Sequence, residues 1–412
     1  MATILVSAYA VNPFKGSEDA MGWNFVLQIA RHNKVIAITR KNNAAHIEKY
    51  FAEHPELKET KQRIKFLYFD WPKWMIFWKK GPVLSLIYYY FWQLTLTIWL
   101  KRKNVQFDIA HNLNFHNDWT PTFLWMLGKP MVWGPVGHHP KVPKQFLLPQ
   151  FGMKEYIKDR FLWVLKNIFW NLDPMLYIAK KKAAMIYCMS KEAVAKMRLT
   201  KNYIIHPSVA CEEAEKMFIQ KEKFRILSVG RFVPLKGFDV TIRSFAQFYH
   251  SLSAQQQHKV QLTLVGSGPL KQYLKKLIKE LKIDNVTNII EWLPRNQLPE
   301  LYASSSVFLF PSHEGAGMVV PEAMSYGLPV VCMNNCGPGE LVHPSTSLRV
   351  NYDTYDNTIA EIATKLEILF TNDILNEQEQ LLALQRYENM FRWNVRGDLL
   401  QSIYQDVLKN KK

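Results

Sequence analysis

The sequence predicts an α/β protein built as two Rossmann-like domains, and three observations carry the prediction. The chain has 412 residues, more than one hydrophobic core usually serves. Short apolar runs, of the kind that form buried parallel strands, alternate with helical patterns through both halves. The alternation lapses once, over residues 201–223, where His206-Pro207 and the acidic Glu212 to Glu215 interrupt it. The predicted division is therefore an N-terminal domain over 1–205, a C-terminal domain over 206–390 and a terminal helical segment over 391–412.

In the first half, Ala2 to Tyr9 reads as a strand, Gly22 to Ala30 as a helix and Val35 to Thr39 as the next strand. Phe107 to His111 and Pro130 to Trp133 continue the series as repeated βα units. Alternation resumes at Phe224, whose strand breaks at Gly230. The loop beyond it holds Arg231 and Lys236 and is closed by Gly237. An arginine fork and a mobile lysine charge on one strand-end loop suit a diphosphate. Val260 to Val265 is another strand and ends in Gly266-Ser-Gly268, a weak nucleotide signal because the rest of the dinucleotide fingerprint is missing.

The densest pattern follows Val307 to Phe310. Pro311-Ser-His-Glu314 leads through Gly315, Gly317, Met318 and Val319 to Pro321-Glu322, so the segment reads as strand, glycine loop and helix, with proline in the permitted first turn. Glu314 would lie beyond the strand's carboxyl end. Glu322, on the first helical turn, could accept two hydrogen bonds from a ribose diol. Glycines let backbone amides approach a sugar, and the start of a helix favours phosphate. Together these residues read as a sugar-nucleotide site.

These motifs resemble the retaining glycosyltransferases of the GT-B architecture, specifically family 4, group 1. The resemblance covers Val229-Gly-Arg231 with Lys236-Gly237, Val265 to Pro269, Ser312 to Met324, Gly327 to Val330, the N-terminal Gly16-Ser-Glu18 and Gly22-Trp23, and Trp133 to Gly137. It implies two domains facing across a cleft, with the terminal segment returning toward the N-terminal domain. It further implies that Arg231 and Lys236 hold the diphosphate, that Glu322 holds the ribose, and that Glu314 with the amides of 315–318 holds the transferred sugar. Gly16, Gly230, Gly266, Gly268, Gly315, Gly317, Met318, Val319 and Glu322 are the expected donor contacts, the donor being a UDP- or GDP-sugar with no cofactor and no metal. Relatives often carry His-x-His where this chain reads Ala110-His-Asn-Leu113, which leaves His111 as the candidate catalytic histidine beside Glu314, Arg231 and Lys236. Ser17, His116, Asp118, His138 and His139 are the candidate acceptor contacts. Two other readings stay open: a GT-B nucleotide-sugar epimerase, and a catalytically silent sugar- or membrane-binding protein.

Charge bears on the acceptor. Residues 1–205 hold 30 Lys/Arg against 13 Asp/Glu, and residues 206–412 hold 22 against 22, so the whole excess of +17 lies in the first half. An anionic glycan, a lipid-linked acceptor or an anionic membrane face would answer it. Nucleic acid is not expected, because neither a zinc pattern nor an RNA-binding signature is present. Gly81 to Leu100 is uncharged and flanked by Lys79-Lys80 and Lys101-Arg-Lys103. It reads as a buried helix or as an aromatic membrane-interface surface rather than a span, because Gln93 and two threonines lie within it and it sits between βα elements of one domain. Trp71 to Lys80 and Phe161 to Trp170 share that interfacial composition. Met1 leads directly into a strand without a signal-peptide pattern, and the four cysteines show no zinc spacing. The expectation is a cytoplasmic protein, peripheral on the inner face of the cell membrane, with its oligomeric state unspecified.

Overall fold

The computed structural model describes residues 1–410 apart from 17, 114, 215–216 and 218–221. Candidate Ser17 and much of the acidic crossing therefore lie outside the described residues. The chain divides into two compact units, the first of Met1–His138, Val164–Ser208 and Trp393–Lys412 and the second of His139–Trp163 and Val209–Arg392.

The first unit is a parallel sheet of seven strands: β1 (Thr3–Ser7), β2 (Lys34–Thr39), β3 (Ile64–Tyr68), β4 (Ile109–Asn112), β5 (Met131–Val136), β6 (Met185–Cys188) and β7 (Tyr203–Ile205), in the order β3-β2-β1-β4-β5-β6-β7. Ile4 of β1 pairs with Val35 on one side and Ile109 on the other, so β1 is central. Ile4, Leu5 and Val6 are wholly buried, as in a strand covered on both faces. The second unit is a parallel sheet of six: β8 (Phe224–Val229), β9 (Val260–Val265), β10 (Thr287–Ile290), β11 (Val307–Phe310), β12 (Val330–Met333) and β13 (Arg349–Val350), in the order β10-β9-β8-β11-β12-β13.

Two features differ from the sequence reading. Tyr203–Ile205, placed in the crossing, is the edge strand β7 paired to β6. Residues 139–163, placed in the first domain, belong to the second unit. Phe146 is the reason: its ring packs at 5.2–5.6 Å on His313, Tyr352 and Tyr355. The terminal helix Trp393–Lys409 is an integral part of the first unit. Its Tyr404 hydroxyl meets His111 and its buried Arg396 meets Tyr187 and His206.

The uncharged run forms the helix Gly81–Lys103 and is two-faced. Tyr88, Tyr89, Trp92, Leu96 and Leu100 are buried, while Leu84, Ile87, Phe91 and Ile98 are exposed. Gln93 Nε2 donates to the Pro121 carbonyl at 2.9 Å, so the amide group of the polar residue that counted against a span is anchored within the unit. Among the described residues no helix is long and apolar enough to cross a membrane. A second helical stretch, Lys144–Leu172, kinks at Gly152. Beyond the kink Met153, Ile157, Phe161, Val164, Ile168 and Leu172 are exposed at spacings of three or four, which places them along one side of the helix.

Candidate functional site

In the second unit β8 and β11 are neighbours, yet the chain leaves β8 toward β9 on one side and β11 toward β12 on the other. This is a topological switch point, where loops beyond the strands' carboxyl ends diverge and leave room for a ligand. Both motif loops start there.

The β8 loop turns through Pro234–Lys236 and closes at Gly237, whose φ is +67°. A Cβ at Gly237 would collide with the Pro311 carbonyl oxygen, so only glycine lets this loop lie against the β11 loop. His313 N–H donates to the Leu235 carbonyl at 2.9 Å and Ser312 Oγ donates to the same oxygen at 3.2 Å. The joined loops bring Lys236 Nζ to 2.7 Å from the Glu314 carboxylate. Only 18% and 15% of the two side chains remains exposed. Burial raises the Glu314 pKa above the ordinary carboxylate range, and Lys236 opposes that rise. The lysine also lies over the Phe310 ring, 4.9 Å from its centroid.

Arg231 is exposed on the same loop, and Glu322 is half-buried on the helix Val319–Ser325, where it accepts from the Tyr302 hydroxyl at 3.2 Å. Gly315 is buried, while Met318 and Val319 are half-buried at the start of that helix. Gly266 and Gly268 have a packing reason as well. A Cβ at Gly266 would collide with the Gly230 carbonyl, and one at Gly268 would crowd Phe232. Their place is between the β8 and β9 loops. His313 is spent structurally: it stacks on Tyr352, bonds its hydroxyl at 2.8 Å, and is lowered by burial to a pKa of about 4.

The first unit has a corresponding switch point between β1 and β4. Glu18, at the start of the helix Glu18–His32, meets His116 Nδ1 at 3.2 Å. Asp118 Oδ2 meets His138 Nδ1 at 2.7 Å with both side chains nearly buried. Trp170 Nε1 donates to the Asp118 carbonyl at 3.1 Å. Gly16 is exposed, and the candidate His139, half-buried, falls in the second unit. His111 corrects the expectation of a catalytic histidine. It is fully buried, with Nδ1 at 2.6 Å from the Tyr404 hydroxyl and Nε2 at 2.8 Å from the Gly134 carbonyl, and burial lowers its pKa to about 4. Both ring nitrogens are engaged within the unit, so this imidazole ties the terminal helix to β4 and β5 rather than reaching a substrate.

Residues 211–381 match the family model of the glycosyl transferases group 1. That stretch resembles a group 1 glycosyltransferase domain. A glycosyltransferase of Haemophilus influenzae is 36% identical over 155 residues, 37% of this chain and 40% of the relative. The O-antigen chain mannosyltransferase B of Escherichia coli is 27% identical over 195 residues, 45% of this chain and 50% of the relative. The chain thus spans half or less of the length of these two relatives. The crystal structure of Anabaena HepE in complex with UDP and glucose superposes with a TM-score of 0.60 at 13% identity, covering 98% of this chain and 100% of that one. At that identity the likeness concerns fold, and the fold is GT-B: two α/β units, each with a parallel sheet.

Within residues 211–381, four of the predicted residues gather on loops and a helix at the carboxyl ends of β8 and β11: Arg231, Lys236, Glu314 and Glu322. Tyr302, which holds Glu322, and Asn335, whose side chain donates to the Ser312 carbonyl at 2.8 Å, belong to the same neighbourhood and carry no motif of their own. In the first unit, Glu18 belongs to the Gly16-Ser-Glu18 motif, but its pairing with His116 has no sequence signal. Among the described residues no three His, Cys, Asp or Glu side chains are grouped to hold a metal.

Proposed function

We propose that this protein is a retaining, metal-independent glycosyltransferase that moves a hexose from a UDP- or GDP-sugar to a glycan or lipid-linked acceptor in cell-surface polysaccharide or glycolipid synthesis. The observation that carries the reading is the Lys236–Glu314 pair at the switch point of the second unit, with Arg231 and Glu322 on adjoining elements. Relatives named for O-antigen, amylovoran and colanic acid synthesis support the acceptor class. The UDP bound by HepE supports the donor class.

The chemistry follows from charge. Breaking the bond between sugar and diphosphate leaves a growing negative charge on the leaving oxygens. Lys236, mobile at the end of its stem, can exchange part of its contact with Glu314 for that phosphate, and exposed Arg231 adds a planar fork. Glu314 then has a lone pair free for a hydroxyl of the transferred sugar, and Glu322 accepts from the ribose. The acceptor attacks from the leaving group's own side, with the departing phosphate oxygen taking its proton, so the anomeric configuration is kept. With the protein's own cations meeting the diphosphate, transfer proceeds without added metal. Glu18, His116, Asp118 and His138 are the acceptor-side groups of the first unit. The protein works in the cytoplasm, peripheral to the inner face of the membrane, where nucleotide-sugars are made.

The test is a panel of UDP- and GDP-sugars with lipid-linked and free glycans, run with chelator and read by mass spectrometry, with NMR of the product's anomeric centre. A new, retained glycoside is expected. Interconversion of donor sugars without acceptor would replace this reading with an epimerase, and nucleotide binding without any turnover would replace it with a silent binding protein.

A further inference from the structure

The first unit leaves much apolar surface outward that its core does not use. Trp74 and Phe77 are 75% and 76% exposed in the segment before the helix Gly81–Lys103, between Lys73 and Lys79-Lys80. The helix has one face in the core and shows Leu84, Ile87, Phe91 and Ile98 exposed on its other side, an apolar surface of the kind that meets lipid or protein. Its Tyr90 contacts Phe169 at 6.2 Å and the Asp173 carboxylate at 3.3 Å, so it adjoins the end of the helix that exposes Val164, Ile168 and Leu172.

Where that second helix ends, a cleft of about 750 Å³ opens. Leu172 and Tyr177, 74% and 63% exposed, line it together with Lys180, Lys181, Arg198 and Lys201. Asp173 is the one carboxylate in the lining, and it already accepts from Met175 N–H at 2.8 Å and from Tyr90. Lys180 spends one donor on the Met197 carbonyl and Arg198 one on Asn171, which leaves further N–H groups on both, while Lys181 and Lys201 are exposed. Four cations beside an apolar rim match a phosphate carried on a hydrocarbon tail.

We propose that the first unit docks on an anionic lipid bilayer through these apolar helix faces and seats a phospholipid headgroup in the cleft of Lys180, Lys181, Arg198 and Lys201. This deepens the peripheral location proposed above and rests on that reading, not on the transfer chemistry. A soluble anionic glycan would account for the cations but not for the exposed Trp74, Phe77, Leu172 and Tyr177. A second copy of the chain is disfavoured by the charge of residues 1–205, 30 Lys/Arg against 13 Asp/Glu, which would face itself. An interface that places aromatic and aliphatic side chains among lysines at headgroup depth answers both features.

The experiment is co-sedimentation of the full chain with phosphatidylcholine vesicles, with and without phosphatidylglycerol, across a salt series. Binding to the anionic vesicles alone is expected, weakening as salt rises. Lys181→Gln and Lys201→Gln should each weaken it about fivefold, the factor that corresponds to one lysine near an anionic surface. Leu172→Ser and Trp74→Ser should weaken it at every salt concentration, because their contribution is apolar, and thermal melting of these surface variants should match the parent. Equal or negligible binding of the parent to both vesicle types overturns the proposal, as does binding indifferent to the two lysines. A concentration-dependent dimer lost in Leu172→Ser also overturns it, in favour of a second copy. Thermal protection by UDP or GDP is read on the same samples and should be the same in parent and variants. A parent that neither nucleotide protects counts against the transfer reading, while the vesicles judge docking separately.

Discussion

Replacing Lys236 by methionine keeps most of the side chain's volume and removes its charge, which leaves the Glu314 carboxylate with no cation at 2.7 Å. Stripping one partner from a fully buried pair costs about 3–5 kcal/mol. Here 15% of the glutamate and 18% of the lysine side chain still meet solvent, which lowers the expectation to about 2–3 kcal/mol at neutral pH. The sign with pH follows from burial, which already holds the Glu314 pKa above its ordinary 4.5, with Lys236 opposing the rise. A carboxyl group whose folded pKa exceeds its unfolded one opposes folding at neutral pH, and that opposition fades as pH falls through the folded value. Without Lys236 the folded value rises further, so the variant's deficit should be largest near pH 8 and shrink toward pH 5. Glu314→Gln on top of Lys236→Met removes the stranded charge and should recover most of the stability. Activity should not follow, because the loss of a group that stabilises a leaving charge costs about 10²–10³ in kcat whatever happens to the fold. Urea unfolding at the two pH values and transfer kinetics of the two single variants and the double variant make the measurement. A single variant with parental stability and kcat, or a double variant that recovers kcat along with stability, would refute the assignment of Lys236 to the diphosphate.

Glu322→Ala should abolish transfer while costing about 1–2 kcal/mol of stability, since the Tyr302 hydroxyl loses its acceptor at 3.2 Å; near-normal turnover would remove Glu322 from the site. Gly237→Ala should destabilise the second unit by more than about 1 kcal/mol, because its φ of +67° and the Pro311 carbonyl both exclude a Cβ, and it should lower kcat by displacing Lys236; an unchanged melting temperature would contradict the close approach of the two loops. His111 and His313, each brought from 6.5 to about 4 by burial, stay neutral in the folded protein while the unfolded chain takes up protons. Stability should therefore fall as pH drops from about 6.5 to about 4, by roughly 3 kcal/mol for each histidine, and denaturant midpoints that stay level across that range would contradict it.

The strands that frame both switch points were legible because a parallel strand covered on both faces is written as an unbroken apolar run, as in Val307 to Phe310 or Val260 to Val265. Tyr203–Ile205 was not legible, since a three-residue edge strand with a half-solvated face has no such run. The site residues could be named from loop chemistry, but their contacts could not. Lys236 and Glu314 are 78 positions apart, and only the adjacency of β8 and β11 brings them together. His111 shows the reverse case: a histidine at a strand end looks chemical until Tyr404, 293 positions away, is seen on its Nδ1. The assignment of residues 139–163 was hidden for the same reason, because Phe146 is an ordinary aromatic in sequence and its partners His313, Tyr352 and Tyr355 come much later in the chain.

The terminal helix Trp393–Lys409 gives the two units different histories during synthesis. The second unit is drawn from residues 139–163 and 209–392, so its whole sequence has been made before that helix exists. The first unit includes strands made before any of the second unit and is nonetheless completed after it. Until Arg396 and Tyr404 have been made, His111, Tyr187 and His206 each lack one of the partners they meet in the folded unit. A ribosome stalled short of that helix would present a first unit with an open flank although the sequence of the second unit is already complete, so a helix made after the whole second unit decides whether the earlier strands are sealed.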